Sequence, residues 1–303
     1  PVSVLTGFLG AGKTTLLNRL LKDPALADTA VIINEFGDVA IDHLLVEQSS
    51  EGIIQLADGC LCCTVRGDLV DSLSDLVDRL QSGRIASLKR VVIETTGLAD
   101  PAPVLQSIMG HPALVMAYRL DGVATLVDAL HAENTLDEHV EAVKQVAMAD
   151  RIVLSKLDLV DDPAALERLR SRLRALNPSA PILEGGGTGA SAASLLAAGL
   201  YDPATKSADV RRWLGEEAEH DAHDHEHALG HHDHDHHRHD QRVRSISLRH
   251  DGPLPYSAIE TFLDLLLSAH SDRLLRMKGI VELSDDRARP LVLHAVHSIL
   301  HPP

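Results

Sequence analysis

Gly7-Phe8-Leu9-Gly10-Ala11-Gly12-Lys13-Thr14 follows the spacing G-x-x-x-x-G-K-[ST] in full. Glycines so spaced let the backbone curl until consecutive N–H groups and the N-terminus of the next helix face an anion, which is phosphate chemistry. In such a loop Lys13 reaches the β- and γ-phosphates of a nucleotide, and the Thr14 hydroxyl ligates Mg²⁺. Gly7, Gly10, Ala11, Gly12, Lys13, Thr14 and Thr15 are therefore candidate nucleotide-binding residues. An accidental glycine-rich turn is the competing reading. The context speaks against it, because an apolar, strand-like stretch over residues 2–6 precedes the loop and a helix-like one follows.

Two further segments fit a nucleotide site. Arg90-Val91-Val92-Ile93-Glu94-Thr95-Thr96-Gly97 reads as a strand ending in an acid, with Gly three residues on. That spacing places the Glu94 carboxylate near Mg²⁺, directly or through water, and makes Gly97 the pivot whose N–H senses the γ-phosphate. Ser155-Lys156-Leu157-Asp158 follows another apolar run and resembles the N-K-x-D motif that reads guanine, with Ser in place of Asn. Asp158 would accept from N1–H and the exocyclic amine of guanine, a donor pair that adenine lacks, and the Lys156 stem would cover the base. GTP is the expected nucleotide. The bland alternatives are a buried strand-end Glu and a solvated Lys-Asp pair.

The three cysteines of the chain all fall in Cys60-Leu61-Cys62-Cys63. Thiols this close make a poor disulfide framework and point to metal ligation or redox chemistry in a reducing compartment. Thiolates are soft ligands that favour Zn²⁺, Cu(I) or, with mixed donors, Co²⁺ and Ni²⁺. In an extended stretch Cys60 and Cys62 share a face, so both can ligate one ion. A third donor comes from Cys63 or from elsewhere, with Glu35 and His111 as candidates; surface or structural roles suit those two equally well. Residues 220–240 hold ten of the 19 histidines, interleaved with Asp and Glu. Such a tract collects divalent ions weakly, as a metal store or as an incidental property of a solvated linker.

The elements that must position these residues alternate along the chain. Apolar runs at 2–6, 30–34, 90–95, 122–127, 151–155 and 180–184 are separated by helix-like segments near 13–22, 66–82, 137–149 and 163–176, the last opened by Asp162-Pro163. Strands buried on both faces and separated by helices predict an α/β fold with a mostly parallel sheet and flanking helices. Residues 201–242 read as a linker, since the histidine tract has too little apolar content to offset its ordering entropy. Beyond it, a strand over 243–248, a helix over 255–269 and strands over 277–283 and 290–295 predict a smaller α+β domain. That domain is expected to be incomplete, because the chain ends just after a helix-like stretch. The predicted division is 1–200, 201–242 and 243–303.

Composition narrows the partners. Of 303 residues, 45% are apolar and 24% charged, as in a soluble globular protein. Aromatics are only 2%, so the core must be aliphatic and base-stacking platforms are nearly excluded. With 28 basic against 44 acidic residues, the formal charge is −16, which disfavours nucleic acid and anionic membranes and favours cations. No apolar run reaches the roughly 20 residues that span a bilayer. The N-terminus lacks the marks of a signal peptide, so a cytoplasmic location is expected.

Taken together and in this order, Gly7–Thr14, Asn34-Glu35-Phe36-Gly37, Gly59–Cys63, the Glu-Thr-Thr-Gly-Leu-Ala-Asp-Pro segment from Glu94 and Ser155–Asp158 resemble the CobW family of P-loop GTPases. Leu274-Leu275-Arg276-Met277-Lys278-Gly279 is similar to that family's C-terminal domain, so the resemblance covers nearly the whole chain. It implies a GTP-hydrolysing metallochaperone that loads Zn²⁺ or Co²⁺, with Ni²⁺ as a further option, at the C-x-C-C motif. The ion then passes to a client metalloprotein. The oligomeric state is left open, a dimer included. Within this reading Lys13, Glu94 and Gly97 are the catalytic candidates, with Asp42 to orient the attacking water, though an exposed loop Asp would look the same. A metal buffer or sensor that uses nucleotide only for stability is the alternative.

Overall fold

A computed structural model describes residues 1–34, 53–55, 64–186, 191, 195, 243–287 and 289–301. Glu35, Asp42, Cys60, Cys62, Cys63 and the histidine tract lie outside these residues.

The first half of the chain alternates as its apolar runs require. Strand β1 (Val2–Gly7) leads through the glycine loop into helix α1 (Lys13–Leu20). Then come β2 (Thr29–Asn34), β3 (Ile53–Gln55), α2 (Thr64–Gln81) and β4 (Arg90–Thr95). Helices α3 (Ala102–Gly110) and α4 (Pro112–Ala117) precede β5 (Leu120–Asp128). Helices α5 (Ala132–Glu138) and α6 (Val140–Ala147), β6 (Arg151–Ser155), α7 (Pro163–Leu176) and β7 (Ile182–Glu184) follow.

These seven strands form one sheet in the order β3-β2-β4-β1-β5-β6-β7, and every neighbouring pair is parallel. All six residues of β1 are buried, as a central parallel strand covered on both faces demands. Val2 and Val4 pack with Leu69 and Leu73 of α2 and Leu105 and Ile108 of α3. Leu5 faces the other layer, with Leu16, Leu17 and Leu20 of α1. The core is aliphatic, as the composition predicts. Tyr118 is the one aromatic among the buried core residues described; its hydroxyl donates to Leu73 O at 2.7 Å, and burial pushes its pKa up to about 12. Because β1 lies between β4 and β5, the chain leaves the sheet in opposite directions on its two sides. The crevice that opens there, at the carboxyl ends of the strands, is where ligands bind in such sheets.

A second, antiparallel sheet of three strands belongs to the C-terminal part, with β8 (Arg276–Val281), β9 (Leu291–Val296) and β10 (Ile299–Leu300) beside helix α8 (Tyr256–His270). Several expectations are corrected. The helix predicted over 137–149 is two helices, because His139 turns to extended backbone (φ −122°, ψ 110°) and stacks its ring on Phe8 of the glycine loop at 4.5 Å. No strand forms over 243–248: Ile246 and Leu248 stand 81% and 75% exposed, and no described strand pairs with them. The helix-like terminal stretch is strand β10 instead, because His297 adopts φ +51° and returns the chain onto β9. Helices α3 and α4 and strand β3 were not anticipated.

The two sheets meet at one carboxylate. Asp150 accepts from the N–H of Val123 at 2.7 Å, from Arg276 Nη2 at 2.7 Å and from Lys278 Nζ. Arg276 also donates to Met148 O and, at 3.2 Å, to His294 Nε2. Arg276 and Asp150 each keep only 8% of their side chain exposed. Removing one member of a buried pair strands the other's charge, so Asp150→Ala should lower stability by roughly 3–5 kcal/mol, read as a fall in the denaturant midpoint. His294 is buried beside Arg276 and Lys278, and burial followed by those charges pushes its pKa down to about 2. Above the ordinary histidine value both folded and unfolded states are neutral. Below it only the unfolded chain takes up the proton, so stability falls as the pH drops. Between pH 7 and pH 5 the protein should lose about 2 kcal/mol more than its His294→Gln variant in urea titrations.

Candidate nucleotide and metal site

The glycine loop reverses the chain between β1 and α1. Gly10 and Gly12 sit at φ +72° and +92°, a left-handed backbone that side chains resist, and this conformation turns the amides inward ahead of α1. Lys13 is buried; its Nζ donates to Gly7 O at 3.0 Å and Phe8 O at 3.5 Å, so the ammonium lies over the loop. Thr14 Oγ1 donates to Glu94 Oε1 at 3.1 Å, and Glu94 is 5% exposed at the end of β4. A hydroxyl and a carboxylate this close offer two hard oxygens, the donor set that Mg²⁺ takes beside a phosphate.

Gly97 abuts the loop. A Cβ there would stand 2.7 Å from Leu9 N, so no side chain fits. Its carbonyl and that of Ala99 accept both amide hydrogens of Gln145, at 3.1 and 3.0 Å. The adjacent Lys144 binds Asp100 Oδ2 at 2.9 Å, and Asp100 Oδ1 accepts from the N–H of Ala102 at 2.9 Å to start α3.

On the other side of β1, Ser155 donates through Oγ to Ala11 O at 2.7 Å and to Val127 O at 3.3 Å. The serine that stands where N-K-x-D has Asn thus ties β6 to the glycine loop. Lys156 adopts φ +57° and donates to Asp128 Oδ2 at 2.6 Å; that oxygen also pairs with His131 Nδ1 at 2.9 Å, and Leu130 N–H donates to Oδ1 at 3.0 Å. Burial opposes the Asp128 charge, but the bonds from Lys156, His131 and Leu130 outweigh it and hold the carboxyl below the usual range. Asp158 is exposed on the turn Leu157–Leu159. A cavity of about 310 Å³ lies beside the loop, walled by Phe8, Gly10, Asp128, Gln145 and Lys156.

Of the predicted transition-metal ligands, only His111 is among the described residues. It joins α3 to α4, and its buried Nδ1 has no hydrogen-bond partner among the described residues. Within those residues no three His, Cys, Asp or Glu side chains cluster to hold a metal; the cysteines lie outside them. The structure does locate where their segments leave the sheet. Asn34 pairs with Thr95 and Gln55 with Ile33, so the chain departs toward Glu35 and toward Cys60 from the same carboxyl edge that carries Thr14 and Glu94. Sequence reasoning missed Asp128, Lys144 and Gln145. The one signal for Gln145 was a polar side chain inside the buried run Ala142, Val143, Val146.

The nucleotide-binding domain of the CobW/HypB/UreG family matches residues 1–184, and the cobalamin synthesis protein cobW C-terminal domain matches residues 243–303. Zinc chaperone YjiA of Escherichia coli is 45% identical over 181 residues, 60% of this chain and 56% of that protein. Zinc-regulated GTPase metalloprotein activator 1 of Saccharomyces cerevisiae is 34% identical over 205 residues, 60% of this chain and 47% of that protein. The chain thus spans about half the length of these relatives. The crystal structure of Zn(II)-bound YjiA GTPase from E. coli superposes with a TM-score of 0.66 at 29% identity, over 99% of this chain and 86% of that one. No described helix is long and apolar enough to cross a membrane. With the nucleotide-binding domain matched over residues 1–184 and the cobW C-terminal domain over residues 243–303, the chain belongs to the CobW family within CobW/HypB/UreG.

Proposed function

We propose that this chain hydrolyses GTP to drive the loading and release of a transition-metal ion, Zn²⁺ before Co²⁺ or Ni²⁺, for a client metalloprotein in the reducing cytoplasm. The observation that carries this reading is the meeting of Lys13, Thr14 and Glu94 on the sheet edge from which the cysteine-bearing segment departs. The zinc-chaperone names of its relatives support the choice of zinc. In this reading residues 1–200 form the GTPase unit, 201–242 a metal-collecting linker and 243–303 a docking domain.

Each residue then has a task. The amides of Gly10 to Thr15 cradle the phosphates, and Lys13 neutralises charge on the β- and γ-phosphoryl oxygens in ground and transition states. Thr14 and Glu94 are the residues that would hold Mg²⁺, which when bound neutralises charge between those phosphates. Gly97 presents its N–H to the γ-phosphate, and Asp42 orients the attacking water. Asp158 reads guanine, while Ser155 and Lys156 hold the base side of the loop. Cys60, Cys62 and Cys63 take the cargo ion, completed by Glu35 or by His111, whose Nδ1 has no partner among the described residues. Loss of the γ-phosphate releases the segment after Asn34, as phosphate-sensing segments do, and with it the ion.

Lys13→Ala should cut GTP turnover at least about 100-fold and weaken GTP binding, measured by phosphate release and nucleotide titration. Undiminished hydrolysis would sink the assignment. Because coupling is reciprocal, Mg-GTP should tighten binding of Zn²⁺, and Zn²⁺ should tighten GTP binding, by the same factor of roughly 5–150. Anaerobic titrations should also show that Cys60→Ser with Cys62→Ser removes the tight ion while leaving GTP affinity largely unchanged. Equal metal affinity in the apo, GDP and GTP states would leave a metal buffer in place of a chaperone.

A further inference from the structure

We infer that Gln145 is a positioning residue for GTP hydrolysis: it fixes the turn that aims the Gly97 N–H. The inference rests on the GTPase reading above. Gln145 lies on α6, is 1% exposed, and spends both amide hydrogens on the carbonyls of Gly97 and Ala99. Those carbonyls belong to the 97–98 and 99–100 peptide planes. The N–H of Gly97 lies in the preceding 96–97 plane, whose Thr96 carbonyl accepts from the N–H of Ala99 at 3.1 Å, so all three planes of the turn are tied, and the backbone of Leu9 closes the side toward which the turn could otherwise collapse.

The helix that holds Gln145 is itself anchored. Thr125 Oγ1 donates to Gln145 O at 2.8 Å from the centre of the sheet, and Lys144 ties Asp100 at the far end of the same turn. Two adjacent residues of one helix thus grip residues 97–100 at three points, immediately after the Glu94 strand. A buried glutamine needed only for stability could satisfy its amide anywhere within its own layer. Here both donors reach 46 and 48 positions back along the chain, into the segment that must respond to the γ-phosphate. Preorganised donors matter because they need no rearrangement when charge develops in the transition state, and small misplacements of such groups cost rate rather than affinity.

The test is steady-state GTP hydrolysis with GTP and GDP affinities for the full chain and two variants. Gln145→Glu keeps the shape but turns a carboxylate toward two carbonyl oxygens. We expect kcat to fall by about 10–100-fold with KM and GDP affinity changed little. The ratio of variant to wild-type kcat should rise from about pH 8 to about pH 6, as burial raises the new carboxyl's pKa and its protonated form regains one donor. Lys144→Met, which loosens the turn only at Asp100, should show the same kcat-selective loss at smaller size, and carries the test if Gln145→Glu does not fold. Wild-type kcat in both variants, or equal losses of GTP and GDP binding alongside a lowered melting temperature, would overturn the inference. A wild-type protein without GTP turnover would instead overturn the GTPase reading on which it rests.

Discussion

The position of β1 between β4 and β5 is the constraint on which the site depends. A strand buried on both faces cannot bend, so the chain must leave it abruptly at Gly7, and the glycine loop absorbs that turn. The neighbouring strands end on the same edge: β4 delivers Glu94, β5 delivers Asp128, and β2 and β3 release the chain toward Glu35 and the cysteines. The glycine loop, Glu94 and Asp128 thus share one rim because parallel strands must all point their carboxyl ends the same way.

That rim is held by side chains rather than by backbone pairing. Thr14 and Glu94, Ser155 and Ala11, Gln145 and the 97–99 carbonyls, and Lys156 and Asp128 each cross from one connection to another. Loops that bind and release a nucleotide are drawn from the less stable parts of a fold. The neutral single bond from Ser155 to Ala11 is worth only about 1 kcal/mol net, whereas the Lys156–Asp128 ion pair and the paired bonds of Gln145 hold their segments more firmly.

The C-terminal sheet joins the same framework just past the C-terminal end of α6. Asp150 lies three positions past the last residue of the helix, and it receives Arg276 and Lys278 from β8 while holding the N–H of Val123 in β5. Met148, whose carbonyl Arg276 also takes, lies three positions after Gln145. The C-terminal sheet is thereby tied to the chain that follows the helix holding the Gly97 turn.

Much of this was legible in the residues themselves. Six apolar runs became strands close to their expected bounds, α7 starts at Asp162-Pro163 with the aspartate capping Ala164 N–H, and the glycine loop sits between strand and helix as its spacing requires. These features depend on a window of a few residues: burial on two faces, a missing N–H at a helix start, a backbone that only glycine tolerates. What tertiary structure alone decided lies between distant residues. His139 breaks a helix whose periodicity continues through it, because its ring meets Phe8, 131 positions away. Residues 243–248 alternate like a strand yet form none, since no described edge pairs with them. Gln145 is a polar residue in an apolar run whose partners at Gly97 and Ala99 lie 48 and 46 positions back, and Asp150 takes its role from Arg276 of β8, 126 positions downstream. Local pattern encodes which face of an element is buried; which group it meets there is set by the packing of the whole chain.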